Sequence, residues 1–303
     1  MAEGHDVIGV DNFMDFYSRS LKEANLAELR SAQNFRLIDG DLNEVDLAEL
    51  VRDRDWIFHQ AAQAGVRSSW GKSFDIYTRS NIAATQRLLE ASVQAPRLQR
   101  FIFASSSSIY GNAPRLPVSE EAPANPISPY GVTKLAAEHL CVLYAVNFGL
   151  PTVALRYFTV YGPRQRPDMA FHRFGRALLR GEGFRVYGDG SQTRDFTYVS
   201  DIVQANLDAA SAANVEGKVL NIAGGSRVSL TDAIAVLEEL MGKDALVRYE
   251  DRARGDATDT YADISLARRL IGYRPKVTLL EGLKSQLEYL RSLYLPKESA
   301  PVR

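Results

Sequence analysis

Tyr130 and Lys134, four residues apart, and the four serines at 105–108 are the side chains of this 303-residue sequence best suited to chemistry. A spacing of four places a tyrosine and a lysine on the same face of a helix. An ammonium close to a phenol favours the phenolate and lowers the tyrosine pKa. Tyr130 is thus a candidate base near neutral pH, with a serine hydroxyl from 105–108 facing it. The serines end an apolar run, Phe101-Ile-Phe103, that reads as a buried strand. Polar residues at the carboxyl end of a strand in an open α/β sheet stand where ligands bind. The bare Tyr-x-x-x-Lys spacing would equally suit an ordinary aromatic and a solvated lysine at a helix start. The serine-ended strand upstream separates the two readings.

The elements that must position these groups alternate. Asp6-Val-Ile-Gly-Val-Asp11 reads as a buried parallel strand ending in an acid, and 12–31 as a loop and a polar helix. Strands follow at 35–41, 55–59, 101–104 and 151–157, with helices at 46–52, 77–94 and 129–148. The small-residue stretch 60–65 is a loop that lets the backbone approach a ligand closely. This alternation predicts an α/β fold with a parallel, doubly wound sheet of Rossmann type. After residue 157 the pattern breaks into Gly-, Pro- and Arg-rich turns, a helix at 170–181, and a strand at 185–187. Residues 196–213 include a helix, and a short strand at 219–223 follows. An amphipathic helix spans 229–241 with Leu230, Ile234, Leu237 and Leu240 on one stripe. Helices at 266–271 and 279–290 close the chain, and 297–303 reads as a frayed tail. The expected domains are 1–157 and a smaller mixed α/β domain, 158–303, with part of 196–223 returning to the first.

Ser105-Ser-Ser-Ser-Ile-Tyr-Gly111 followed by Ser128-Pro-Tyr-Gly-Val-Thr-Lys134 resembles the extended short-chain dehydrogenase/reductase family of nucleotide-sugar epimerases, dehydratases and decarboxylases. The resemblance covers nearly the whole chain. It implies NAD as cofactor, Tyr130 as base, Lys134 as the group that also holds the nicotinamide ribose, and Ser106 as the hydroxyl that meets the reacting alcohol. It also implies cofactor contacts from Asp11 and Asn12 (adenosine ribose), Asp41 and Leu42 (adenine), Gln60, Ala61, Ala62, Asn81 and Tyr157. One feature departs from the pattern. The first strand and glycine-rich turn of a dinucleotide fold should precede the strand ending at Asp11, yet only five residues do. The expectation is a truncated or misassigned start, with weak NAD binding and aggregation of this polypeptide when expressed alone.

Thr159-Val-Tyr-Gly-Pro163, Arg166-Pro-Asp-Met-Ala170 and Ala62-Gln-Ala-Gly-Val-Arg67 are similar to UDP-glucuronate 4-epimerases. That similarity implies a uronate carboxylate met by Thr159 and Arg166, with Ser107 or Ser108 helping, and further substrate contacts from Arg67 and Asp256. Arg194 would face the diphosphate, with Arg254 a second candidate and Arg252 its rival. Dehydratases place Asp-Glu, and decarboxylases Glu, where this chain has Ser107 and Ser108, which weakens both alternatives. A UDP-glucose or UDP-N-acetylglucosamine 4-epimerase and a catalytically inert binding paralogue remain the competing readings.

Composition excludes other classes. A net charge of −1 offers no electrostatic case for nucleic acid or an anionic membrane. Cys141 is the only cysteine, so no internal disulfide can form, and a reducing cytoplasmic location fits. It lies in a helical pattern and reads as core. No apolar run approaches a transmembrane length. The four histidines, at 5, 59, 139 and 172, have no metal-ligand spacing. The family often dimerises through its two long helices, so a homodimer through 77–94 and 129–148 is expected.

Overall fold

The computed structural model describes residues 3–295, so the tail expected at 297–303 lies outside the described residues. β1 (Val7–Asp11), α1 (Arg19–Arg30), β2 (Phe35–Asp39), α2 (Leu47–Val51) and β3 (Trp56–His59) follow in order. The helix expected over 77–94 is interrupted. α3 (Phe74–Tyr77) runs into a π turn at Thr78–Ala83 and continues as α4 (Ala84–Val93). Then come β4 (Arg100–Ser106), α5 (Pro129–Phe148) and β5 (Thr152–Tyr157).

The second half carries β6 (Thr159–Tyr161), α6 (Ala170–Arg180), β7 (Phe184–Tyr187), β8 (Thr193–Arg194), β9 (Phe196–Tyr198) and α7 (Val199–Ser211). β10 (Lys218–Ile222), β11 (Val228–Ser229), α8 (Leu230–Met241), β12 (Val247–Glu250), α9 (Ser265–Ile271) and α10 (Leu279–Tyr294) complete the described chain. No helix among the described residues is long and apolar enough to cross a membrane.

The fold is Rossmann-like α/β with a parallel sheet. β3, β4, β5 and β10 pair in the order β10-β5-β4-β3, every pair parallel. A parallel sheet covered on both faces needs apolar side chains on both sides of each strand, and β4 shows this. Phe101 and Phe103 pack with Leu88, Leu89, Ala137 and Cys141 of α4 and α5. Ile102 packs on the opposite face with Val153, Ile202, Ala205 and Ala209, the last three from α7. This alternation of faces is the two-residue period of a strand. β10 enters the sheet beside β5, so the return of the chain from the second half is a strand pairing, Lys218 beside Val153 through Ile222 beside Tyr157.

β1 and β2 form a separate parallel pair. Among the described residues no strand joins β1 to β3; the imidazole of His5 lies 5.2 Å from the indole of Trp56. A second core, built on Phe171, Phe174, Phe184, Phe196, Leu237 and Leu287, sits beneath α6, α8 and α10.

Candidate active site

The serine-rich end of β4 meets the first turn of α5 because both are built to come close. Ser128 caps α5 by accepting from the Gly131 N–H at 3.1 Å, and Pro129 occupies the first turn, where a missing N–H is harmless. Gly131 is required by space: a Cβ there would lie 2.6 Å from the Ser108 carbonyl oxygen. Gly111 is required by both space and conformation, with φ of +59° and a virtual Cβ 2.2 Å from the Asn125 carbonyl. The tight approach brings Tyr130 and Ser106 to the same cavity wall, with the Ser106 hydroxyl close enough to act on the phenol. Ser106 also accepts from the Ser108 N–H at 3.1 Å, which fixes the turn that follows the strand. The Tyr130 ring packs edge-on to Tyr77 at 6.3 Å.

The electrostatics amend one expectation. Burial pushes the Tyr130 phenol above its ordinary value, while the neighbouring Ser106 hydroxyl and the charge of Arg166 pull it back. The phenol is thus raised and not lowered as the spacing suggested, and the cation that opposes burial is Arg166, with no contribution from Lys134. Lys134 is itself buried, 3% exposed, with its Nζ 4.5 Å over the Phe103 ring. Burial lowers its pKa to about 8, against the opposing pull of Cys141 and Glu138. The Cys141 thiol is pushed up by burial and is a core group.

Beneath the site lies a buried polar network. Arg156, on β5, donates from Nε and Nη2 to the two carboxylate oxygens of Glu138, on α5, at 2.9 and 2.7 Å. Ser105 donates to the same carboxylate at 2.6 Å, and Arg156 Nη1 donates to Tyr110 Oη, also at 2.6 Å. Asn81, in the π turn, accepts from the Gln63 N–H at 2.7 Å and donates to the Gln63 carbonyl and to Thr133 Oγ1 at 3.0 and 2.9 Å. It braces the loop after β3 against α5 and does not line the cavity.

A cavity of about 870 Å³ opens over these groups. Its walls bring together Gln60, Ala62, Arg67, Ser106, Ser107, Ser108, Tyr130, Lys134, Tyr157, Thr159, Arg166, Arg194 and Asp256. Arg67 and Asp256 are paired with each other, at 3.1 Å from Nε and 2.6 Å from Nη2, with the Arg67 guanidinium 4.0 Å over the Tyr187 ring. Arg194 donates to the carbonyls of Thr193, Ala257 and Thr258 at 2.7–2.9 Å, and burial lowers its pKa. Tyr157 Oη donates to Asn206 at 2.9 Å and accepts from Gln60 at 3.2 Å. Asp11, Asn12, Asp41, Leu42, Ala61 and Arg254 lie outside the walls. Asp11 and Asn12 accept from the Phe13 and Met14 N–H groups at 2.7 and 3.1 Å. Burial pushes Asp41 up, but bonds from Asn43 and the charge of Arg79 hold it below the usual carboxylate value. Phe16, Arg173, Arg185, Tyr187 and Gln192 line the cavity without having been singled out in the sequence. They sit in irregular segments, on short strands or at a helix start, where no period flags them.

A family model described as the NAD dependent epimerase/dehydratase family matches residues 1–223. The chain belongs to this family. A Bacillus subtilis relative named uncharacterized UDP-glucose epimerase YtcB is 45% identical over 290 residues, covering 96% of this chain and 91% of that protein. The UDP-glucuronate 4-epimerase of Thermodesulfobacterium geofontis is 36% identical over 295 residues, covering 95% and 90%. The crystal structure of UDP-glucuronic acid 4-epimerase from Bacillus cereus, in complex with UDP-glucuronic acid and NAD, is 44% identical with a TM-score of 0.93, covering 96% of this chain and 93% of that one.

The residues present suit the nicotinamide end of the cofactor of an NAD-dependent epimerase/dehydratase. Lys134, buried as a residue and without a hydrogen bond among the described residues, has its ammonium donors to offer a ligand in the cavity. It lines the cavity together with Tyr130, and Tyr157 and Gln60 add polar atoms to the same wall. Asp11, exposed at the carboxyl end of β1, is chemically suited to a ribose diol.

Proposed function

We propose that the protein interconverts UDP-glucuronate and UDP-galacturonate by NAD-dependent epimerisation at C4. The observation that carries this reading is a single cavity holding Ser106, Tyr130 and Lys134 together with Thr159 and Arg166. Bound NAD would supply the hydride acceptor and donor that inversion at C4 needs. Tyr130 takes the C4 hydroxyl proton and later restores one, Ser106 hydrogen-bonds the reacting oxygen, and Lys134 supplies positive charge beneath. The halves 1–157, with the returning segment within 196–223, and 158–303 then hold cofactor and sugar nucleotide respectively. Arg194 adds positive potential for the diphosphate through the loop it braces, and a cytoplasmic location accords with the single cysteine.

The 4-keto sugar must turn over in the cavity without losing its C6 carboxylate. Oxidation at C4 makes that group a β-keto acid, which decarboxylates readily. Charge-assisted bonds from Arg166, with Thr159 beside it, hold the carboxylate in an unreactive orientation. Arg166→Ala is expected to raise the KM for UDP-glucuronate about 10–100-fold, the worth of a charge-assisted hydrogen bond of ~1.5–3 kcal/mol, and to release part of the product as UDP-pentose. Chromatography of the nucleotide sugars reads both effects. Unchanged affinity with no pentose would favour the neutral-sugar reading, in which C6 has no use for a guanidinium on the cavity wall.

We also infer a homodimer through the helical face of α3, α4 and α5. Ile76, Val132, Leu143 and Val146 are 44%, 47%, 53% and 78% exposed along it, a stripe of large apolar groups of the kind that marks an interface. Sedimentation of the parent should give a dimer and of Leu143→Glu/Val146→Glu a monomer. A parent that stays monomeric at micromolar concentration removes this reading.

A further inference from the structure

Arg166 does not stand alone in the cavity wall. Its Nε donates to Asp168 Oδ1 at 3.0 Å and its Nη2 to Asp168 Oδ2 at 2.9 Å. The guanidinium carbon lies 5.3 Å over the Phe16 ring, and both Arg166 and Asp168 line the cavity. A guanidinium carries five N–H donors in a rigid planar fork. Asp168 takes one from Nε and one from Nη2. The two on Nη1 and the second on Nη2 make no hydrogen bond among the described residues. Those remaining donors form the end of the fork, whose geometry fits a second carboxylate held by two parallel bonds.

The loop bearing the pair is held from behind. Gln165 donates to the Val160 carbonyl at 3.0 Å, and its Oε1 accepts from the His172 N–H at 3.1 Å and from Gln286 Nε2 at 2.8 Å. Gln286 Oε1 in turn accepts from the Gly162 N–H at 3.0 Å. His172 Nδ1 donates to the Gln165 carbonyl at 2.8 Å while its Nε2 accepts from Tyr294 Oη at 2.7 Å. Burial lowers the His172 pKa, in keeping with the neutral ring this pattern needs. The backbone next to Arg166 is thus fixed by α6 and α10, and the remaining freedom of the guanidinium is rotation of its own side chain.

We propose that Asp168 is a positioning residue for uronate recognition: by occupying the Nε/Nη2 side of Arg166 it turns the free Nη1/Nη2 end toward the sugar carboxylate. This rests on the uronate reading above. Without Asp168 the guanidinium gains rotamers that do not face the sugar, and the carboxylate clamp is populated for only part of the time. The same residue sets the count of anions at this wall, one resident and one from the substrate.

The test compares Asp168→Asn, Asp168→Glu and Arg166→Ala in the NAD-loaded enzyme, with thermal melts to confirm folding. Asp168→Asn keeps the shape but cannot accept two bonds as a carboxylate. It is expected to raise the KM for UDP-glucuronate about tenfold, keep kcat within about threefold and increase the UDP-pentose share, the pattern of lost positioning and not of lost chemistry. Asp168→Glu, which keeps the charge, should recover part of the affinity. A folded Asp168→Asn with parental KM and no added pentose overturns the proposal, and so does a tighter KM, which would make Asp168 a competitor of the substrate. If Asp168→Asn does not fold, Asp168→Glu decides alone: a KM and pentose share equal to the parent's, despite a carboxylate moved by one methylene, speak against orientation. Arg166→Ala separates the two levels. An unchanged uronate KM there removes the uronate reading itself, whereas a raised KM there with no effect of Asp168→Asn removes only this inference.

Discussion

Tyr130→Phe is expected to lower turnover by about 10²–10⁴-fold, the usual worth of a general base, while leaving affinity for UDP-glucuronate nearly intact. The phenol hydroxyl is the only group removed. The ring that packs on Tyr77 at 6.3 Å stays, so the first turn of α5 keeps its place. Ser106 still accepts from the Ser108 N–H, which preserves the turn after β4. The loss should fall on kcat and kcat/KM together, since the proton transfer contributes only as the C4–H bond breaks. Arg166 sharpens the test. Its charge counters the burial that raises the phenol, so Arg166→Ala should weaken the base as well as the clamp. In the Tyr130→Phe background that second penalty has nothing to act on, and the two substitutions should be less than additive in kcat. Turnover of Tyr130→Phe within about tenfold of the parent would assign the base to another group.

What was legible in the sequence is what physics encodes locally. Tyr130 and Lys134 share a helical face by spacing alone, and the strand read at 101–104 is present, although its pairing runs on through Ser105 and Ser106. The family resemblance places Arg166 and Thr159 together, and both line the cavity. The partners of these groups were not legible, because they are distant or sit in segments without period. Glu138 meets Arg156 across 18 residues, from helix to strand, and Asn81 reaches Thr133 across 52. Arg194 announces a cation, but its destination, the carbonyls of 257 and 258, is more than 60 residues away. Asp168 is two residues from Arg166, yet only coordinates show which edge of the fork it takes. β6, β8, β9 and β11 have two or three residues, too few for alternation to register, and β12, four residues paired with β7, is largely exposed and presents no buried face to flag it. The π turn that breaks the expected helix over 77–94 exists where Asn81 must reach both Gln63 and α5, a tertiary demand that helix propensity does not encode.

Lys134→Met should abolish activity and at the same time make the protein more stable at pH 7, on the order of 3 kcal/mol by the linkage of pKa to stability. Lys134 is 3% exposed, and burial lowers its pKa from 10.5 to about 8. Below pH 8 both folded and unfolded chains carry the proton, so the folded state bears the whole cost of a buried ammonium. Between about 8 and 10.5 the unfolded chain keeps the proton while the folded one sheds it, so the Lys134 contribution to stability rises with pH. Above that window both are neutral and the penalty is gone. Methionine fills the space over Phe103 with an apolar chain of similar length and never carries the charge. Urea unfolding from pH 7 to 10.5 should therefore show the parent gaining on Lys134→Met, the gap closing at the alkaline end. A variant less stable than the parent at pH 7 would mean that the contact of Nζ with the Phe103 ring and the pull of Glu138 outweigh desolvation. In that case Lys134 would be a structural cation and not a charge kept in an apolar site for the reaction.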